Sequence, residues 1–106
     1  MAIAFDLDGT LARYDGWKSI EHIGEPITMM VNVLKRHIAQ GDECIIHTAR
    51  VSGDAEEANL ARHYIAKWLR THNLPDMEIT CIKLKKFRLF YDDRAIAVTT
   101  NLGPAL

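Results

Sequence analysis

The sequence predicts an α/β fold built on a mostly parallel sheet. Short apolar segments alternate along the chain with stretches of helical period, the pattern of strand–helix–strand units. Three of those segments end in oxygen-bearing side chains: Asp6 with Asp8, Thr48, and Asp92 with Asp93. Open parallel sheets collect their ligands at the carboxyl ends of their strands, so this repetition is expected of one shared site edge. The balance of 48% hydrophobic and 25% charged residues over 106 positions suits one domain, residues 1–106, with one core.

Each element has a local reason. Residues 1–6 read as a first strand, apolar up to Asp6 as a strand buried on both faces must be. Residues 9–25 hold three glycines with Tyr14, Trp17 and His22 and show no period, so they form a loop or small flap. Glu25-Pro26 opens a helix with proline in its first position. Ile27, Met30, Val31, Leu34 and Ile38 follow at helical spacing, and Gly41 ends it. Residues 43–47 are a second strand. Asp54 and Glu57 have capping-box spacing and start a second helix. Its buried stripe is Ala58, Ala61, Ile65, Trp68 and Leu69, and Asn73 with Pro75 stops it. Residues 77–82 read as a third strand, 88–91 as a fourth and 95–99 as a short fifth. The whole is a minimal Rossmann-like three-layer sandwich. One connection resists this order. Only five residues separate Ile82 from Arg88, whereas a parallel crossover takes about a dozen. Either 77–82 is not a regular parallel strand, or residues 83–87 descend as an extended connection.

The run Asp6-Leu7-Asp8-Gly9-Thr10 is the most informative feature. From average residue usage, Asp-x-Asp-Gly-Thr arises on the order of once in 10⁵ positions. Residues two apart on an extended chain point to one side, so the two carboxylates aim at one place. Gly9 permits the turn that follows and a close approach of phosphate to the backbone. Like charges this near require a shared proton or an intervening cation. With Asp92, Asp93 and Thr48 on the same edge, the donors are all oxygen. That favours a hard metal, Mg²⁺ before Zn²⁺.

The net charge of −1 gives no global pull toward nucleic acid or membrane. No apolar run approaches the roughly 20 residues of a membrane span, and the apolar start breaks at Asp6, unlike a signal peptide. Cys44 and Cys81 lie in strand-like segments and read as buried free thiols, which suits a cytoplasmic protein.

The ordered set Asp-x-Asp-Gly-Thr, a strand ending in Thr, a Lys, then Asp-Asp resembles the haloacid-dehalogenase-like superfamily of phosphohydrolases. The likeness spans residues 6–93. The stretches Tyr14-Asp15-Gly16-Trp17, His47-Thr48-Ala49-Arg50 and Tyr91-Asp92-Asp93-Arg94-Ala95 are similar to its short, capless bacterial and phage members. The resemblance implies that Asp6 attacks phosphorus and carries an aspartyl-phosphate, while Asp8 serves as acid and then base. It implies Mg²⁺ held by the Asp6 carboxylate, the Asp8 backbone carbonyl, Asp92 and the phosphate, with Asp93 acting through water or orienting Asp92. Gly9, Thr10, Thr48, Ala49 and Arg50 would contact the phosphate or substrate. A lysine would neutralise the equatorial oxygens. Lys83 is first choice for it, with Lys85 and Lys86 as alternatives. The 42 residues from Asp6 to Thr48 and the 35 from Thr48 to Lys83 leave no room for the cap domain of larger relatives. An open site suits a bulky or macromolecular phosphorylated substrate, or a homodimer that covers it. A nucleic-acid end phosphatase is one alternative, suggested by the basic run Lys83 to Arg88. A non-catalytic Mg²⁺- and phosphate-binding module is another.

Several further side chains carry expectations. Arg50 and Arg94 each follow a motif and could reach the leaving group or a site carboxylate; Arg94 reads first as a structural ion-pair partner of Asp92 or Asp93. His47 faces away from Thr48. Trp17 packs the core edge or faces substrate. His37, His63 and His72 are expected on exposed helix faces.

Overall fold

A computed structural model describes residues 1–104. Four strands form one parallel sheet: β1 (Ala2–Phe5), β2 (Glu43–His47), β3 (Ile79–Thr80) and β4 (Phe87–Tyr91), in the order β3-β2-β1-β4. Phe5 pairs with Ile46 on one side and Tyr91 on the other, and Ile46–His47 pairs with Ile79–Thr80. The α/β class and the parallel sheet are therefore as the sequence predicts. No helix among the described residues is long and apolar enough to cross a membrane.

Two helices, α1 (Thr28–Ala39) and α2 (Ala55–Thr71), pack on the same face. Val31 and Leu34 of α1 share one core with Ile65 and Leu69 of α2 and with Ile3, Phe5 and Ile46 of the sheet. Handedness explains this. The steps from β1 to β2 and from β2 to β3 run in one direction across the sheet, so right-handed crossovers put both helices on one side. The step from β3 to β4 runs the other way, and its crossover lies on the opposite face. There Leu84 packs on Ala2, Ala4, Ile45 and Phe87. The layer on that side is thus an extended segment rather than a helix. Because β3 ends at Thr80, the residues Cys81–Lys86 are free to cross. Extended, they reach about 20 Å, enough to pass the roughly 14 Å of three strand spacings. This resolves the short connection, and corrects the third strand from 77–82 to two residues.

The helix stops follow the sequence closely. Gly41 has φ +87 and Asn73 φ +59, and each terminates its helix with the same pair of bonds. Asp42 N–H reaches the His37 carbonyl (3.0 Å) with Gly41 N–H on Ile38 (3.0 Å), and Leu74 N–H reaches Leu69 (2.8 Å) with Asn73 N–H on Arg70 (3.2 Å). The Asp54 carboxylate caps α2 by accepting Glu57 N–H at 2.9 Å. The start of α1 departs from expectation. Pro26 lies outside the helix, bridged to Ala12, because Arg13 N–H bonds Glu25 O and Ile27 N–H bonds Leu11 O, both at 2.8 Å. The proline sits between the accepting Glu25 carbonyl and the donating Ile27 N–H, where its missing N–H costs nothing.

The fifth strand is also corrected. Val98–Thr99 (β5) pairs antiparallel with Gly103–Pro104 (β6) in a separate hairpin, away from the main sheet. Asn101, at φ +63, makes the turn. Cys44 is buried but Cys81 is exposed, and both are free thiols. His63 is exposed. His37 is instead half-buried between Asp42 (Nδ1–Oδ2 2.9 Å) and the Tyr91 hydroxyl (2.9 Å), and His72 is half-buried against the Trp68 ring.

Candidate active site

The site forms where the strand order reverses, between β1 and β4. Asp6 N–H still bonds the Tyr91 carbonyl (2.9 Å), so the chain leaves the sheet only after Asp6. It then turns tightly. The Leu7 carbonyl accepts the N–H groups of Thr10, Leu11 and Ala12 (3.2, 3.0 and 2.9 Å), and the fully buried Leu7 and Leu11 side chains anchor the loop. The end of β4 folds against this turn. Asp93 N–H donates to Thr10 Oγ1 (3.1 Å), which lies 3.3 Å from Asp93 Oδ1 and 3.4 Å from Asp6 Oδ2.

Asp6, Asp92 and Asp93 each bring a carboxylate oxygen to within 4.8 Å of the other two. Burial pushes the Asp6 carboxyl from its ordinary 3.8 up to about 7, helped by a hydrogen bond to Asp93 and by the Asp92 charge. A group of carboxylates with no nitrogen or sulfur donor among them fits a hard cation.

Asp8 goes elsewhere. Its carboxylate meets Arg50 in a two-pronged pair, Nε to Oδ2 at 2.6 Å and Nη2 to Oδ1 at 2.9 Å. It is therefore not one of the clustered carboxylates. The Asp8 carbonyl, the atom expected to reach a metal, accepts none of the loop's backbone hydrogen bonds. Arg50 is 6% exposed, and its remaining donors bind the flap carbonyls of Ile20 (3.2 Å) and His22 (2.9 Å). The flap is fastened a second time by Trp68, whose Nε1–H donates to Gly24 O at 2.9 Å. A Cβ on Gly24 would lie 2.0 Å from the Arg13 carbonyl. Gly24→Ala is accordingly expected to loosen the flap and lower the melting temperature, because backbone atoms on both sides must separate.

Thr48 ends β2 and is buried. Its Oγ1 accepts Arg50 N–H at 3.2 Å, which leaves the hydroxyl hydrogen free to donate. Thr48, Ala49, Arg50, Asp6, Asp8, Asp92 and Asp93 all line one cleft of about 790 Å³. Seven of the ten residues expected at the site thus share a wall. The other three have different roles. Thr10 is buried and ties the two strand ends together, and Gly9 N–H is spent on Ala12 O at 2.8 Å, so neither faces a phosphate. Gly9 instead makes room for Asp93: at φ +88, a Cβ there would meet Asp93 Oδ2 at 2.5 Å. Gly9→Ala is expected to displace that carboxylate and weaken Mn²⁺ or Mg²⁺ binding at least about tenfold, on top of the roughly 1–2 kcal/mol cost of a left-handed alanine. Calorimetric titration of the metal measures it, and unchanged affinity would separate Asp93 from the cation.

Lys83 is the third. Its Nζ lies 5.5 Å from the centroid of the Phe90 ring, and it does not line the cleft. Phe90 pairs with Ala4 on the face opposite the helices, so the crossover carries Lys83 behind the sheet. Lys86 bonds Glu43 at the amino end of β2, the far edge of the sheet. Arg94 takes the second of the two places the sequence offers it, at the cleft rather than in an ion pair. Its guanidinium makes no ion pair among the described residues, contrary to expectation, and it lines the cleft; only its backbone N–H engages Asp92 Oδ1 (2.8 Å). The sequence held a faint signal for this, an arginine directly after the Asp-Asp pair. His47 lies edge-on to Phe87 and Phe90 on the face opposite the helices, yet it also borders the cleft that Thr48 lines.

No protein-family model and no curated protein matches the chain. Among solved structures it is similar to a conserved protein from Bacteroides thetaiotaomicron. The two are 26% identical, the match covers 90% of this chain and 77% of that one, and the TM-score is 0.58.

Proposed function

We propose that this chain is a Mg²⁺-dependent phosphohydrolase of the haloacid-dehalogenase-like kind that cleaves phosphomonoesters through an aspartyl-phosphate. One observation carries the reading: Asp6 sits in a cluster with Asp92 and Asp93 while Asp8, two residues on, is held apart from that cluster by Arg50. Asp6 thus stands where a cation would keep it anionic for attack, and Asp8 stays on the same cleft wall, where it can exchange a proton with the leaving oxygen only once its pair with Arg50 loosens.

In this reading Asp6, Asp92 and the Asp8 carbonyl would hold Mg²⁺, with Asp93 beside them. When bound, the ion would supply charge neutralisation that keeps Asp6 anionic toward the phosphoryl group. An Asp6 oxygen attacks phosphorus, the ester P–O bond breaks, and the leaving oxygen takes a proton from Asp8. Water then attacks the phosphorus of the aspartyl-phosphate and gives its proton to Asp8. The bond to Asp6 breaks and inorganic phosphate leaves. The Thr48 hydroxyl and the Arg94 guanidinium, which makes no ion pair among the described residues, serve the equatorial oxygens in the role expected of Lys83. Arg94→Ala is thus expected to lower kcat/KM by about 10²-fold, and Lys83→Ala by far less. The reverse order would return the role to the lysine.

The deciding experiment is phosphate release from a panel of phosphomonoesters, including a 5′-phosphorylated oligonucleotide, with Mg²⁺ and with EDTA, for the unaltered protein and Asp6→Asn. Release that needs Mg²⁺ and vanishes in Asp6→Asn is the expected result. A folded, Mg²⁺-binding protein that releases nothing would move the reading to a binding module.

A further inference from the structure

Two aromatic side chains of the flap are exposed at the cleft. Tyr14 and Trp17 are 47% and 59% exposed and line the same walls as Asp6, Asp8 and Asp92. Single exposed aromatics are ordinary on a free loop, but this loop is not free. The Arg50 guanidinium lies 4.9 Å from the centroid of the Trp17 ring while gripping Asp8. The same guanidinium and Trp68 Nε1 hold the flap carbonyls of Ile20, His22 and Gly24. Carboxylate, guanidinium and indole are therefore locked in sequence, with the ring largely open to solvent. Tyr14 also borders an adjoining cavity of about 210 Å³ that shares Asp8 and Arg50 with the cleft. Cleft and cavity thus meet at Asp8, the residue to which the phosphohydrolase reading assigns the leaving oxygen, and Tyr14 and Trp17 line the cleft beside it.

We propose that Tyr14 and Trp17 form a leaving-group subsite for a planar heteroaromatic ring, so that the phosphomonoester is nucleotide-like. The proposal deepens the phosphohydrolase reading and rests on it for the position of the phosphate. Stacking between a flat ring and an aromatic side chain is worth about 1–3 kcal/mol and tolerates different bases. A sugar is the weaker fit. The cation behind Trp17 already draws on the ring's quadrupole, which weakens C–H contacts from a sugar more than face-to-face dispersion with a flat ring.

Two measurements test the subsite. The first is tryptophan fluorescence with adenosine in EDTA, where no turnover occurs. Saturable quenching is expected, and its loss in Trp17→Leu. The second compares kcat/KM for adenosine 5′-monophosphate with that for glucose 6-phosphate in Mg²⁺. The ratio is expected to fall about tenfold or more in Trp17→Leu, chiefly through KM, and to recover in Trp17→Phe. A 5′-phosphorylated oligonucleotide run in parallel distinguishes a free nucleotide from a strand end, and preference for either supports the subsite. No quenching together with an unchanged ratio would overturn the proposal and leave the phosphohydrolase reading standing. Quenching by adenosine in a protein that hydrolyses nothing would keep the ring subsite and remove the hydrolase.

Discussion

Asp6→Asn is expected to abolish phosphate release, by at least about 10³-fold, while making the metal-free protein more stable above pH 7. The first effect follows from removing the nucleophile. The second follows from proton linkage. The Asp6 carboxyl titrates near 7 in the folded chain, against an ordinary 3.8. Between those values the folded state holds a proton that the unfolded state has lost, so stability falls as pH rises through the window. Above pH 7 the folded state carries the unfavourable anion beside Asp92 and Asp93. Asparagine keeps the shape and removes that charge. The group is only partly buried, so solvent screening reduces the gain well below the full linkage value. Thermal melts in EDTA from pH 5 to 8.5 measure it: the wild-type melting temperature is expected to decline across the range relative to that of Asp6→Asn. Added Mg²⁺ is expected to restore the wild type mainly at the alkaline end, where Asp6 is deprotonated. Parallel melting curves for the two proteins would show that Asp6 titrates in its ordinary range and would leave the cluster without its electrostatic strain.

Arg50→Met is expected to be the most destabilising change at the site. It strands the Asp8 carboxylate, which is 19% exposed, and releases two flap carbonyls together with one face of Trp17. Breaking a buried ion pair by removing one partner costs about 3–5 kcal/mol. Partial exposure of Asp8 brings the expectation to about 3 kcal/mol, a drop of roughly 10–20 °C for a domain of this size. Arg50→Lys is expected to recover little, because an ammonium cannot make the two-pronged contact or reach both carbonyls. Chemical denaturation would record the loss, and proteolysis within residues 13–25 would report the freed flap. A cost below about 1 kcal/mol would mean that Trp68 and the Glu25–Arg13 bond hold the flap unaided.

Much of the fold was legible because its signals are local. Gly41 and Asn73 stop their helices for the conformational reason their residue types suggest, and Asp54 caps α2 as its spacing implies. The hydrophobic stripe of α2 is the buried one. The failures came where a local signal was read as a long-range fact. Residues 95–99 look like a strand, but Asn101 turns the chain back on itself before it can reach the sheet. Pro26 looks like a helix start, but two backbone bonds to the Leu11–Arg13 segment hold it extended.

The sequence by itself determined which edge of the sheet carries the chemistry. Asp6, Asp8, Thr48, Asp92 and Asp93 follow apolar strand segments, and once the strands are parallel their ends must meet. Only the tertiary structure decided what each of them touches. Asp8 and Arg50 are 42 residues apart and meet because α1 brings β2 alongside β1. Lys83 leaves the site because right-handed crossover sends the chain behind the sheet after β3. Strand ends are set by local polarity and turn propensity, whereas pairing across elements depends on strand order and crossover side, which no stretch of sequence encodes alone.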